Sequence, residues 1–183
     1  MTATSTKTTT WTVDSAHSVA EFSVKHMMIS TVKGSFQNVE GEVTWDGQSF
    51  ESAAVDARID SSSITTYNEM RDNHLRTNDF FNAEQWPAIE FKSTKVEPDG
   101  DDEFKMHGDL TIRDVTKPVE LDVEFEGLME KDAFGSRRAA FTATTSINRK
   151  DFGINWNGAI ESGGVVVGDK VKVTLHIAIT QEA

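Results

Sequence analysis

Apolar and polar residues alternate along most of the chain with a period of two. The pattern is clearest at 119–126, where four apolar residues alternate with four acidic ones, and at 171–180. It recurs in shorter form at 20–26, 55–59 and 139–147. Such alternation is typical of β-strands with one dry and one wet face. It disfavours a parallel sheet covered on both faces, whose strands read as continuous apolar runs.

Turn signals separate these runs at Asp46-Gly47, Pro98-Asp99-Gly100 and Gly168-Asp169. Eight or more strands joined mainly by short hairpins predict an all-β up-and-down barrel or a sandwich. Small residues on the apolar faces favour a hollow barrel, but a sandwich can use them to accommodate facing aromatic rings. The period of two is therefore compatible with both a hollow and a filled interior. These small residues are Ala20, Ala57, Ser93, Gly108, Ala139 and Ala143.

A hollow barrel in water must turn the apolar face of each strand inward. The wall of its cavity is then predicted from the alternating apolar positions. The residues predicted to line it are Phe22, Val24, Phe36, Phe91, Leu110, Phe125, Phe141 and Ile147.

The segment 63–82 breaks the period of two. Thr66 and Glu69 have the spacing of a capping box, and apolar residues then follow at helical spacing. The segment predicts a short helical insertion across an open end of the barrel, fixed to the rim by Arg71 and Asp72. Its apolar residues are expected to face the ligand; they are Tyr67, Met70, Leu75, Phe80 and Phe81.

Length and composition limit the function classes. A chain of 183 residues fits one domain, predicted here as 11–183 after a disordered polar tail at 1–10. A formal charge of −12 disfavours nucleic acid and anionic membrane faces as partners, and no apolar run is long enough for stable membrane insertion. The chain has no cysteine and shows no secretory signal, so a cytoplasmic location is expected.

Candidate chemistry is sparse. His26 ends an apolar strand face, and His74 lies in the inserted segment near Asp72. Each histidine is either a polar ligand for a head group at the barrel mouth or a structural residue bonded to a neighbouring carboxylate. Asp72 with His74 is either an acid–base pair or part of a salt-bridged cap. The spacing of His and carboxylate residues predicts no metal site.

Ten short motifs, in order, resemble the YceI-like family of polyisoprenoid-binding proteins. They cover nearly the whole chain from Trp11. They are WTVDSAHS at 11–18, FSVKHM at 22–27, VKGSF at 32–36, SSITT at 62–66, RDNHLRTNDFF at 71–81, WPAIEF at 86–91, GDLTI at 108–112, VTKPV at 115–119, NRKDFGI at 148–154 and GGVVVGD at 163–169.

The resemblance implies a lipocalin-like, extended eight-stranded antiparallel β-barrel with a short helical insertion. It also implies an isoprenoid or other amphiphilic chain inside the barrel. The family often has glycine where Asp114 stands, so the local turn is expected to differ. Some relatives carry an export signal that this chain does not show, so periplasmic transport is not carried over.

Three functions remain open at this point. The first is a non-enzymatic carrier or reservoir for an isoprenoid lipid of the quinone or prenyl phosphate type, with no other cofactor. The second is an enzyme on an isoprenoid-like substrate, with His74 and Asp72 as acid–base groups. The third is an interaction protein with a filled barrel. A monomer and a homodimer both remain open.

Overall fold

The computed structural model of the chain describes residues 7–161 and 163–181. Eleven antiparallel strands and one short helix, α1 (Glu69–Leu75), build it. The strands are β1 (Thr9–Val13), β2 (Val19–His26), β3 (Ser30–Phe36), β4 (Val39–Trp45), β5 (Ala54–Asp60), β6 (Ile64–Thr65), β7 (Ala88–Pro98), β8 (Glu103–Ile112), β9 (Val115–Met129), β10 (Arg137–Asn148) and β11 (Val167–Gln181).

Three pairs of consecutive strands act as single bent strands. β1 pairs with β4 and β2 pairs with β3, so β1–β2 and β3–β4 form one long hairpin. β5–β6 then pairs along the other side of β3–β4. β7 to β10 follow as a meander, and β11 closes the ring by pairing with β10 on one side and with β1 and β2 on the other. The result is a closed eight-stranded antiparallel barrel with one short helix, which confirms the predicted fold.

The bends in the three long strands are bonded to one another. The Ser15 hydroxyl donates to the Val39 carbonyl over 2.7 Å. The Ser63 hydroxyl accepts from the amides of Gln37 and Asn38 at 3.1 and 3.3 Å. The backbone groups released where pairing stops are thereby satisfied by neighbouring side chains. The bends divide this side of the barrel into two levels along its axis. β1, β4 and β5 build one level, and β2, β3 and β6 build the other.

The two ends of the barrel differ. The α1 end carries the β2–β3 turn at 27–29, the insertion at 66–87, the β8–β9 turn at 113–114 and the loop at 149–166. Arg113 joins two of these connections by donating to the carbonyls of Asn78 and Phe80. At the opposite end lie the turns at 46–53, 99–102 and 130–136.

Stacked aromatic rings close the second end, which we call the aromatic end. Phe50, from the β4–β5 turn, stacks on Phe104 with ring centroids 4.7 Å apart and on Trp45 at 6.0 Å. Trp45 also packs against Trp11 at 5.4 Å and lies edge-on to Phe141 at 5.8 Å. Trp11, Trp45 and Phe104 are almost fully buried. These rings form a floor beneath the barrel interior.

Two predictions about strand limits were wrong. Thr9 and Thr10 belong to β1 and pair with β4, so the predicted disordered tail at 1–10 is too long; residues 1–6 lie outside the described part of the chain. Gly168-Asp169 is not a turn between strands. It lies inside β11, where the pairing with β2 shifts between Val167 and Val171.

The helix begins later than predicted. Asn68, not Thr66, caps α1 by accepting a hydrogen bond from the Arg71 amide at 3.0 Å. The Thr66 amide donates to the buried carboxylate of Asp72 at 2.8 Å, and its hydroxyl bonds the same oxygen. Arg71 donates to the hydroxyl and the carbonyl of Thr66. Arg71 and Asp72 therefore fasten the helix to the end of β6.

Candidate functional site

A cavity of about 290 Å3 lies inside the barrel above the aromatic floor. Strands from all sides of the barrel contribute its wall, and the insertion adds three apolar side chains at the α1 end. The volume is near the lower limit of small-molecule pockets, roughly 300 Å3. It is also larger than apolar cavities of roughly 150 Å3 that stay dry and take up benzene. The interior is therefore hollow and suited to an apolar guest.

Ten of the fourteen residues proposed as ligand contacts from the sequence line this cavity. They come from β2, β3, β7, β8 and β10 and from the insertion, so the alternating pattern identified the inward faces correctly. The ten are Phe22, Val24, Phe36, Leu75, Phe80, Phe81, Phe91, Leu110, Phe141 and Ile147.

Phe125 and His26 do not line the cavity. Phe125 points inward from β9 but belongs to the floor, with ring centroids 5.4 Å from both Phe50 and Phe141. His26 is the last residue of β2, beyond Val24 toward the α1 end, and is half-buried; its carbonyl accepts a hydrogen bond from the Ser30 hydroxyl. The alternating pattern predicts on which face of the sheet a side chain lies, but not at what depth along the barrel axis.

The prediction that α1 presents Tyr67 and Met70 to the ligand was wrong. The Met70 side chain is 84% exposed, and Tyr67 is equally open to solvent. The insertion instead reaches the cavity through Leu75 at the end of α1 and through Phe80 and Phe81 in the turns that follow. The Phe81 ring lies edge-on to Phe36 at 5.4 Å.

Asp72 and His74 are not partners. The Asp72 carboxylate is 6% exposed and is occupied by Thr66, whereas His74 Nε2 bonds Asp79 Oδ2 at 2.8 Å. The His74 ring also lies edge-on to Phe80 and Trp156, at 5.1 and 4.8 Å, and does not line the cavity. The arrangement fits the structural reading of both residues and contradicts their pairing as acid and base.

The polar residues in the wall are bonded to protein atoms or exposed to solvent. The Thr145 hydroxyl donates to the Glu120 carbonyl at 2.9 Å, and Glu21 pairs with His176 at 3.4 Å. The side chain of Glu90 is exposed on the outside of β7. The remaining polar residue is Arg149. The described wall is therefore aliphatic and aromatic in character.

Sequence reasoning missed Arg149, which is 5% exposed and borders the cavity at the α1 end. Its guanidinium donates to the carbonyls of Ile154, Trp156, Val167 and Gly168 over 2.8 to 3.2 Å. Burial lowers its pKa from the ordinary value. Four carbonyls compensate much of the cost of burying this charge. Arg149 thus fixes the loop at 149–166 against β11.

Sequence reasoning also named no residue of β11 in the site, although the alternation of this strand was plain. Every second residue from Val171 faces the cavity, which makes β11 the longest single contribution to the wall. These residues are Val167, Val171, Val173, Leu175, Ile177 and Ile179. The alternation itself would have found them.

Two inward glycines make room for phenylalanine rings. A Cβ added at Gly34 would lie 2.5 Å from Phe22 Cζ, and one at Gly108 would lie 2.4 Å from Phe91 Cζ. Each ring therefore lies flat over a glycine on the neighbouring strand. Gly108 was expected to leave open space, but a ring already uses that space.

Within residues 7–161 and 163–181, no three His, Asp or Glu side chains converge as a metal site would require. Likewise, no described helix is long and apolar enough to cross a membrane. The apolar cavity is therefore the candidate functional site of the described structure.

The fold and the cavity together define a hollow antiparallel β-barrel with an apolar interior. The sequence profile of the YceI-like domain family matches residues 11–179. The UPF0312 protein SA2479 of Staphylococcus aureus strain N315 is 43% identical over 164 residues, which are 90% of this chain and 93% of that protein. The chain belongs to the YceI-like domain family.

Solved structures share the fold. The Campylobacter jejuni YCEI protein has a TM-score of 0.74 and 31% identity, with 87% of this chain and 90% of that chain covered. A polyisoprenoid binding domain from Saccharophagus degradans has a TM-score of 0.71 at 14% identity, with 94% and 98% covered. At that identity the second likeness concerns the fold alone.

Proposed function

We propose that this protein binds a long-chain polyisoprenoid or similar amphiphilic lipid inside the barrel. In this role it acts as a carrier or reservoir rather than as an enzyme. The observation that carries the proposal is the cavity of about 290 Å3 with an almost wholly apolar wall. A solved barrel of the same fold is described as a polyisoprenoid binding domain, which supports the same ligand class.

The energetics favour an extended apolar chain. Burial of each CH2 group stabilises a complex by about 0.8 kcal/mol, so a prenyl chain gains affinity with every unit that enters. Thr145 and Glu21 are already bonded to protein atoms and Glu90 is exposed to solvent, so a guest with polar groups along its length would leave those groups unpaired. The wall therefore selects a hydrocarbon chain.

The aromatic floor sets the orientation of the ligand. The Trp45, Phe50 and Phe104 rings close that end, so the apolar tail points toward them. A head group of the quinone or prenyl phosphate type then lies at the α1 end, where the exposed polar residues of the insertion are found. The contact residues we propose are the ten predicted residues that line the cavity together with the inward face of β11.

A carrier role accords with the contacts of the candidate acid–base groups. Asp72 is bonded to Thr66, and His74 is held by Asp79 and two aromatic rings. Neither lines the cavity in which a substrate would lie.

Native mass spectrometry of protein purified without detergent tests the proposal. We expect a lipid adduct with a mass that indicates a long hydrocarbon chain, at about one ligand per barrel. After delipidation, the protein should take up geranylgeraniol from a cyclodextrin solution. A protein that carries no lipid and also fails to take up geranylgeraniol would contradict the proposed function.

A further inference from the structure

The α1 end of the barrel places bulky apolar residues in the left-handed backbone conformation, which usually favours glycine. At the aromatic end, Gly47 and Gly135 adopt the left-handed region, with φ of 81° and 87°. At the α1 end, Gly153, Gly163 and Gly164 adopt it as well, but so do Met27, Met28 and Tyr67, with φ of 52°, 68° and 61°. Glycine enters this region freely, whereas a residue with a Cβ does so at a cost in free energy. Strained backbone retained at bulky residues points to a role for their side chains.

These strained residues present apolar side chains to solvent. The β2–β3 turn exposes Met27, Met28 and Ile29, and Ile29 is 90% exposed. The turn rests on the loop at 149–166, because the Met27 amide donates to the Val166 carbonyl at 2.8 Å. Tyr67 and Met70 are exposed at the same end. We call these five residues the apolar rim.

The apolar rim lies close to the cavity along β2. Val24 and Phe22 line the cavity on the strand that ends at the Met27–Ile29 turn. Beside them, residues 30–34 of β3 pair with β2 on one side and with no described strand on the other. This edge of β3 is therefore unpaired next to the rim and beside the part of β2 that lines the cavity.

The charge around the β2–β3 turn is opposite to that of the whole protein. The chain carries 30 acidic residues and a formal charge of −12, yet none of the acidic residues lies between Glu21 and Glu40. Lys25 and Lys33 flank the turn and are exposed. The acidic turn at 99–102 lies at the aromatic end. An anionic surface would thus repel the aromatic end and attract the β2–β3 turn of the rim.

We propose that the apolar rim is a docking surface for a lipid bilayer that contains anionic lipids, through which the apolar ligand passes between membrane and cavity. Lys25 and Lys33 contact lipid phosphates while Met28 and Ile29 enter the interfacial layer. Flexible apolar side chains at the tip of a turn, flanked by lysines, suit an anionic bilayer better than they suit a groove on a protein partner. This proposal rests on the proposed lipid-binding function.

Sedimentation with vesicles tests the proposal. The full chain is mixed with vesicles of phosphatidylcholine alone, or of phosphatidylcholine with phosphatidylglycerol. We expect binding to the mixed vesicles and loss of at least about tenfold in affinity for the Met28→Gly/Ile29→Ser variant. Met28→Gly places glycine in a left-handed position, so the melting temperature should stay equal or rise.

Two control variants make the result specific. Phe134→Ser removes a side chain that is 89% exposed at the aromatic end, and its vesicle binding should match wild type. Lys25→Gln/Lys33→Gln should remove the preference for phosphatidylglycerol. The proposal is overturned if wild type shows no preference for the mixed vesicles, or if the Met28→Gly/Ile29→Ser variant sediments like wild type.

Uptake of geranylgeraniol from cyclodextrin separates this proposal from the proposed function. The Met28→Gly/Ile29→Ser variant should take up the alcohol from solution to the same extent as wild type, because its cavity is intact. Failure of wild type to take it up refutes lipid binding itself. Normal uptake together with absent vesicle binding refutes only the membrane-docking surface.

Discussion

Val173→Phe is expected to fill part of the cavity and to shorten the chain that fits. Val173 lies on β11, between Thr145 of β10 and Phe22 of β2, and faces the interior. The half-buried side chain borders empty space rather than a packed core. The larger ring therefore has room to enter without displacing the strands.

The magnitude follows from the carbon atoms exchanged. Phenylalanine has four more side-chain carbons than valine, so about four ligand carbons lose their place in the cavity. At about 0.8 kcal/mol for each buried CH2, the loss is close to 3 kcal/mol, which weakens binding by roughly 150-fold. The folded state should not be weakened, because filling a cavity commonly stabilises a protein.

The assay is competition of prenyl alcohols of increasing length against a fluorescent fatty chain, with circular dichroism and thermal melting as checks of the fold. The variant should lose affinity for long chains and keep it for short ones. Lys172→Phe is the matched control, since it places the same ring on the outer face of the same strand. A folded Val173→Phe protein that binds all chain lengths like wild type would refute the reasoning about the cavity.

Three further predictions concern the surrounding structure. Phe50→Ala removes the centre of the aromatic floor and should lower the free energy of unfolding by about 3–5 kcal/mol in urea titration. Asp72→Ala strips the buried amide and hydroxyl of Thr66 of their acceptor, and should cost about 1–3 kcal/mol and raise proteolysis within the insertion. The Arg138 guanidinium, 2.7 Å from Asp14, holds the pKa of that carboxyl below its ordinary value. A carboxyl group whose pKa is lowered by folding stabilises the folded state at pH values above its pKa in the unfolded chain. This stabilisation is lost as the pH falls through the pKa of the folded state. Arg138→Ala removes it, so the variant should begin to unfold in acid at a higher pH than wild type.

The inward faces of the strands could be predicted because a barrel in water has one dry side. Val119, Leu121 and Val123 alternate with acidic residues, and the structure places them in the cavity wall. Closure into eight strands could not be derived from the period, because it depends on pairing between distant residues such as Val13 and Ile179. The family resemblance supplied that part.

The sequence did not give the depth of a side chain along the barrel axis or the rotation of α1 about its own axis. Phe125 and Phe141 alternate in the same way, yet only Phe141 reaches the cavity wall, because period two carries no information on position along the barrel axis. Met70 and Leu75 are five residues apart on a helix with 3.6 residues per turn, so they lie on different faces. A seven-residue helix gave too few positions to show which face docks.

The aromatic floor makes the barrel a blind tube. A chain that enters tail first from the α1 end must leave head first by the same opening, so loading and unloading compete for one passage. In the orientation we propose, its head stays at that opening, within reach of another protein while the tail is still enclosed. Capacity is then set by how many carbons fit above Trp45 and Phe50, and any longer chain has to fold back or remain partly outside.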